Sequence, residues 1–185
     1  RVLRTASGLF PTSVTMVVGH GSDQVKQSLS KRNLLQFVTQ EQQLGTGHAL
    51  PQARPMLEGK SGTVVLLSGD VPLLTVDALK GLLAMTDESA AAAPVLTANL
   101  QRPFGYGRIV RTNGRITKIV EERDASPSQK AITDINSGIY ALSPETLFAR
   151  LETIGATNQR REDYHTDPVA IVAHTRQPRP RGDRT

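Results

Sequence analysis

Residues 63–67 read Thr-Val-Val-Leu-Leu, an almost unbroken apolar run that stops at Ser68-Gly69-Asp70. A strand without polar alternation has no solvent-facing side and must be covered on both faces, the habit of α/β proteins. Two further β-rich runs precede it, at 14–18 (Val-Thr-Met-Val-Val) and 34–38 (Leu-Leu-Gln-Phe-Val). Helix-patterned stretches follow these runs at 22–29, 46–57 and 75–85, the last with Leu79, Leu82 and Leu83 as its apolar stripe. Strands alternating with helices predict an α/β fold, with a mixed, mainly parallel sheet, right-handed crossovers and helices on both faces. In such sheets ligands bind in the crevice beyond the carboxyl ends of the strands. Two strand ends carry suitable chemistry: Thr39 through Ala49, which contains Gln40 and Gly45-Thr46-Gly47, and Ser68-Gly69-Asp70. They mark a candidate nucleotide site.

Local signals divide the rest of the chain. A helix over 2–9 is stopped by Pro11; Ser22 and Thr75 are N-cap candidates; the helix over 46–57 is bent or broken near Pro51 and Pro55. After residue 90 the pattern changes. A strand over 94–100 is followed by runs at 107–110 and 116–121 that flank Asn113-Gly114, the strongest short hairpin signal. Ser126-Pro127 starts a short helix, 135–142 is a strand interrupted by Gly138, and Ser143-Pro144 starts a helix carrying Leu147, Phe148 and Leu151. Asp167-Pro168 opens a last helix to His174, and the Arg- and Pro-rich end reads as a disordered tail. The expected organisation is one partial domain over 1–175 and a tail over 176–185, with no internal repeat.

Composition removes whole classes of function. Hydrophobic content is 38% and charged content 21%, with no long apolar stretch, so no membrane span is expected. The chain has no cysteine, which rules out disulfides and thiolate metal sites and fits a reducing compartment. Its net charge of +5 owes much to Arg176, Arg179, Arg181 and Arg184 in the tail. With aromatics at 4% and no basic–aromatic platform, nucleic acid is not an expected partner. The start at Arg1, neither an initiator methionine nor a signal peptide, suggests a piece of a longer polypeptide.

Several residues remain that could do chemistry. Asp70, at the end of an apolar strand, either holds magnesium with a nucleotide or caps the turn before Pro72. Gly45 and Gly47 allow close backbone approach, and their amides with that of Thr46 could bind a base or phosphate. His20 and His48 have no partner at metal-ligand spacing and read as packing or turn residues. Gly105-Tyr106-Gly107 is a second backbone-exposing turn, and Glu121, Glu122 and Asn136 could serve sugar hydroxyls or simply line an exposed hairpin. Serine-hydrolase elbows, zincin motifs and a Walker lysine are all missing from the sequence, so nucleophilic hydrolases and P-loop enzymes fall away.

Taken in order, V-V-G-H-G-S-D-Q-V (17–25), Q-E-Q-Q-L-G-T-G-H-A (40–49), L-L-S-G-D-V-P-L-L (66–74), G-Y-G-R-I (105–109), I-V-E-E-R-D-A (119–125), I-N-S-G-I-Y (135–140) and E-D-Y-H-T-D (162–167) form a pattern. It resembles the uridyltransferase domain of the bacterial bifunctional N-acetylglucosamine-1-phosphate uridyltransferases, the GlmU family. The resemblance implies a Rossmann-like nucleotidyltransferase fold and a cytoplasmic, magnesium-dependent enzyme of cell-wall precursor synthesis. UTP and N-acetylglucosamine 1-phosphate would be joined to give UDP-N-acetylglucosamine and pyrophosphate. By the same resemblance Gln40 reads the uracil edge, Gly45 and Thr46 complete the base and ribose contacts, and Ser68 and Gly69 lie along the nucleotide. Asp70 is then the metal ligand and catalytic carboxylate; Gly107, Glu121 and Asn136 bind the sugar, and Tyr164 and Thr166 lie near its phosphate.

The family's opening strand with its L-A-A-G-x-G-T-R-M loop, the following P-K lysine, a second magnesium ligand (an asparagine) and the acetyltransferase domain have no counterpart in these residues. Full-length members are homotrimers through that further domain. Other readings are a different sugar-1-phosphate nucleotidyltransferase, or a non-catalytic module that binds nucleotide sugars. Because the triphosphate-cradling loop is not among the 185 residues, the purified chain alone is expected to be inactive or nearly so. A pyrophosphate-release assay checks this, and release dependent on both magnesium and UTP would overturn it.

Overall fold

The computed structural model describes residues 1–19, 21–30, 34–42, 46–71, 74–87 and 93–158. The central apolar run becomes strand β3 (Val64–Leu66). Before it come α1 (Val2–Ser7), β1 (Val14–Gly19), α2 (Asp23–Leu29), β2 (Leu35–Gln40), α3 (Thr46–Gln52) and α4 (Arg54–Leu57). After it come α5 (Val76–Asp87), β4 (Val95–Asn99), β5 (Arg108–Thr112), β6 (Arg115–Val120), a 3-10 turn (Glu122–Asp124), α6 (Pro127–Lys130), β7 (Asp134–Leu142) and α7 (Pro144–Asn158). The expected helix over 167–174 and the tail lie outside the described residues. Among the described residues no helix is long and apolar enough to cross a membrane.

Local chemistry accounts for most element ends. Thr75 Oγ1 accepts from the Ala78 amide at 3.2 Å, and Ser143 Oγ from the Thr146 amide at 3.1 Å, so both cap their helices. Ser126 and Gln129 form a reciprocal capping box on α6. The helix over 46–57 is divided at Ala53; Pro55 falls in the first turn of α4, where a missing N–H is harmless. Asn113 and Gly114 have φ of 52° and 76°, the two left-handed residues of a type I′ turn between β5 and β6. Ser22 departs from its expected role. Its φ of −81° and ψ of 21° are not the extended conformation that aims an N-cap oxygen at the first turn, and its hydroxyl makes no cap bond to α2.

The sheet is organised by β7. It pairs antiparallel with β3 (Val65↔Ala141), with β4 (Val95↔Tyr140) and with β5 (Arg108↔Ile135), while β5 pairs antiparallel with β6. β1 and β2 form a separate parallel pair, Val17 opposite Val38. The α/β architecture is as expected, but the hydrogen-bonded neighbours are not mainly parallel: β1·β2 is the single parallel pair among the described strands. The reason is placement. The crossover through α5 does return β4 in the direction of β3, as a right-handed β-α-β unit requires. The late strand β7 then runs the other way between them, so each of its ladders is antiparallel.

Alternation along β7 feeds two cores. Ile139 and Ala141 pack with Leu79 and Leu82 of α5, joined by Val65 and Leu96. Tyr140 and Leu142 pack on the opposite face with Leu147 and Phe148 of α7 and with Val95, Ile109, Ile116 and Ile119. Helices therefore cover both faces, as the unbroken run at 63–67 demanded. Across the second face, Arg54 on α4 bonds Glu152 on α7 at 2.7 Å while its guanidinium lies 4.7 Å above the Phe148 ring. Leu79, fully buried, should be costly to truncate: Leu79→Ala is expected to lower unfolding free energy by about 2–5 kcal/mol in denaturant titration, against roughly 0.5 kcal/mol or less for exposed Lys80→Ala.

Candidate functional site

The site grows from an irregularity in β7. Leu96 pairs with Ile139, but the next residue, Thr97, pairs with Asn136, so Ser137 and Gly138 bulge from the ladder. Gly138 has φ of 74°, a left-handed conformation glycine adopts without strain. Side chains hold the bulge in place. Ser137 Oγ donates to the Leu96 carbonyl at 2.6 Å and accepts from the Ile139 amide at 3.2 Å. Asn136 Oδ1 accepts from the Gly138 amide at 3.0 Å and from the Tyr140 hydroxyl at 2.9 Å. With both lone pairs of Oδ1 engaged, the Asn136 side chain is a donor through Nδ2.

Two neighbours complete this cluster. The Gly107 carbonyl accepts from the Asn136 amide at 2.9 Å. A Cβ at Gly107 would stand 2.8 Å from Glu121 Oε1, so the carboxylate lies directly over this backbone and would have to shift to admit a side chain there. On the other side, a Cβ at Gly138 would stand 3.5 Å from Ser68 Oγ, in ordinary contact. Glu121, Gly107, Asn136 and Ser68 are thus brought together at the end of β3, although their sequence positions are far apart. Asp70 and Gly69 are exposed just beyond that end.

A second group sits at the end of β2. Gln40 is buried at 8% exposure, and its Nε2 lies 2.9 Å from Nδ1 of His48 on α3. Thr46 is the first residue of α3. Its side chain, and Gly45, His20, Tyr164 and Thr166 altogether, lie outside what the structure describes. His48, expected to be a packing or turn residue, instead contacts one of the candidate binding side chains.

Arg108 went unnoticed in sequence, where the flanking glycines drew attention. It is 2% exposed and gathers the turn around itself: Nη2 bonds Glu122 Oε2 at 2.6 Å, Nη1 donates to the Tyr106 carbonyl, and Nε donates to the Lys130 carbonyl at 3.4 Å. The Gly105 amide also donates to Glu122 at 3.3 Å. Glu122 therefore braces the Gly105–Gly107 turn while adjacent Glu121 faces Gly107. A usable signal existed: an arginine opening one hairpin strand, and a glutamate pair just past the end of its partner.

The Arg108 hydrogen bond, aided by that guanidinium's charge and the Gly105 amide, holds the Glu122 carboxyl below its ordinary pKa against desolvation. A depressed carboxyl pKa contributes stability above the unfolded value and loses it as pH falls through the folded one. Thermal unfolding followed from neutral pH to below roughly pH 4, the ordinary glutamate range, should show an acid-sensitive component that Glu122→Gln removes.

The chain matches the nucleotidyl transferase family over residues 10–179. Among curated relatives, it is 46% identical over 160 residues to the bifunctional protein GlmU of Trichlorobacter lovleyi, covering 86% of this chain and 35% of that protein. It is 48% identical over 165 residues to the bifunctional protein GlmU of Syntrophotalea carbinolica, covering 89% of this chain and again 35% of the relative. The chain thus spans about a third of the length of these relatives. Among solved structures, a glucose-1-phosphate thymidylyltransferase so named from Bacillus anthracis superposes with a TM-score of 0.66 at 14% identity, over 91% of this chain and 68% of that one. A UDP-glucose pyrophosphorylase complexed with UDP-glucose superposes with a TM-score of 0.58 at 18% identity, over 82% and 65%. At such identities the likeness is one of fold.

Proposed function

We propose that this chain, which belongs to the nucleotidyl transferase family, forms the uridylyl-transfer centre that joins UTP to N-acetylglucosamine 1-phosphate. The observation that carries the reading is the convergence of Glu121, Gly107 and Asn136 beside Ser68 at the end of β3. The two curated relatives, both bifunctional GlmU proteins, support it over the stretch they share with this chain.

In the proposed reaction a phosphate oxygen of the sugar 1-phosphate attacks the α-phosphorus of UTP. The new P–O bond forms as the bond to the β-phosphate bridge breaks, and pyrophosphate leaves with the electron pair. Such a transfer asks a protein for in-line positioning and neutralised charge rather than a covalent nucleophile. The residues suit that demand. Gln40 reads the base, and Gly45 and Thr46 are assigned to the base and ribose contacts by resemblance. Ser68 and Gly69 line the nucleotide, and the glycine at 107 lets a sugar approach the backbone. Glu121 accepts from sugar hydroxyls, and Asn136 donates through Nδ2. Tyr164 and Thr166 are assigned to the sugar phosphate by resemblance alone.

Magnesium fits the same reading. Among the described residues no group of three or more His, Cys, Asp or Glu gathers into a metal cage. Asp70 offers one exposed carboxylate, the usual protein share where substrate phosphates and water supply the remaining ligands. When bound there, the ion would neutralise phosphate charge. UTP consumption for cell-wall precursor synthesis assigns the reaction to the cytoplasm.

Titration calorimetry of the chain with UDP-N-acetylglucosamine, UDP-glucose and GDP-mannose is the test. Tightest binding is expected for UDP-N-acetylglucosamine. Asn136→Ala should weaken it about tenfold, the scale of one lost hydrogen bond that leaves a polar partner unpaired. Gly107→Ala should weaken it at least as much, because the added Cβ meets Glu121 Oε1 at 2.8 Å. Equal binding of UDP-glucose would transfer the assignment to another sugar phosphate, and preference for GDP-mannose would remove uridylyl transfer itself.

A further inference from the structure

We propose that Arg108 is a positioning residue for the sugar: it ties the Gly105–Gly107 turn to Glu122 and to the approach of β7, and so holds the sugar contacts in register without serving the base. The proposal rests on the reading of Gly107, Glu121 and Asn136 as those contacts.

Strand register supplies the argument. Arg108 pairs with Val120 of β6 and with Ile135 of β7, so it lies on the rung where these three strands meet. Gly107, Glu121 and Asn136 are the adjoining residues on the three segments, each one step from that rung. Among the described strands, Arg108↔Ile135 is the one pair joining β5 to β7. The bond from the Asn136 amide to the Gly107 carbonyl, 2.9 Å, extends it by a single step. So short a junction does little by itself to stop the hairpin that bears Gly107 and Glu121 from pivoting against the strand that bears Asn136. The Arg108 side chain is the further tie. Nε donates at 3.4 Å to the carbonyl of Lys130, which ends α6 just before β7. Nη1 donates to the Tyr106 carbonyl inside the turn, and Nη2 bonds Glu122 Oε2 at 2.6 Å. Glu122 also accepts from the Gly105 amide at 3.3 Å, which fastens the other end of the turn. At 2% exposure, and with each of its nitrogens donating to the chain, the guanidinium does not meet the sugar; it acts through the turn.

Stability alone is a poor account of this group. A buried guanidinium with its carboxylate partner contributes little beyond what apolar residues of the same volume would, because desolvation cancels much of the attraction. What the planar fork adds is direction, since its donors leave along fixed lines and hold their acceptors at set angles. Those acceptors belong to the turn, to the end of the hairpin and to the end of α6. They are the segments that carry Gly107 and Glu121 and that lead into Asn136. Gln40, the proposed base reader, closes β2 in the separate parallel pair, which shares no ladder with this sheet among the described strands. Loosening the brace therefore subtracts from the sugar's share of binding and leaves the base contact in place.

The experiment measures dissociation constants of UDP and UDP-N-acetylglucosamine for the 185-residue chain and its variants, and takes their ratio as the sugar's share. The wild type is expected to bind UDP-N-acetylglucosamine more tightly than UDP. Arg108→Met keeps an extended apolar stem and loses the fork, and should cut that ratio about fivefold, the factor set by the net worth of one hydrogen bond. Glu122→Gln, which keeps an acceptor for the guanidinium and the Gly105 amide, should hold the wild-type ratio. Leu79→Ala lowers the folded fraction by weakening the core under α5, and should weaken both ligands by the same factor. A merely structural role for Arg108 would look like Leu79→Ala. Should Arg108→Met not fold, Glu122→Ala removes the brace from its partly exposed partner and reads the same ratio. An unchanged ratio in Arg108→Met or Glu122→Ala, or an equal fall in Glu122→Gln, overturns the proposal while the sugar contacts stand. A wild type that binds the two ligands equally removes the reading of those contacts, and the proposal with it.

Discussion

Everything in the larger sheet depends on β7 being apolar on both faces while one of its turns is not a strand at all. Ile139 and Ala141 on one side, and Tyr140 and Leu142 on the other, pull α5 and α7 onto opposite faces. Three strands bond its edges. That much burial keeps the strand in one register, and so tolerates the bulge at Ser137–Gly138. The interior pins the irregularity, and the irregularity presents Asn136 towards the end of β3.

Where sequence signals were local, the structure agrees with them. The Asn113-Gly114 turn, the caps at Thr75, Ser126 and Ser143, and the break between α3 and α4 each depend on residues within a few positions of one another. The position of β7 depends on distant partners. Nothing between residues 64 and 99 says that a strand from beyond residue 130 will lie between β3 and β4, so the neighbours pair antiparallel where a mainly parallel sheet was expected. Ser22 failed as a cap for a related reason: the residue type was right, but backbone dihedrals are set by the surrounding structure.

The candidate site shows the same division. Gly107, Glu121 and Asn136 were named from their motifs, and the fold brings them into contact through one backbone hydrogen bond and one close approach. Their separation in sequence hid that contact. His48 was read as a packing or turn residue for want of a metal-ligand partner, and the side chain it contacts is a glutamine eight positions earlier. Arg108 was hidden by the opposite effect. A charged residue in a hairpin reads as a solvated one, yet three acceptors converge on its guanidinium.

The Arg108–Glu122 pair also bears on how sequences of this kind can drift. Replacing either partner alone leaves the other ion with a desolvation cost and no compensating charge, whereas exchanging both for apolar residues of similar volume can be close to neutral. The two positions lie on different arms of the hairpin, so one mutational step cannot reach the second solution. Any lineage that crosses between them passes through a less stable intermediate. The turn they brace is therefore expected to keep its stability through a change at one position only when the other changes with it.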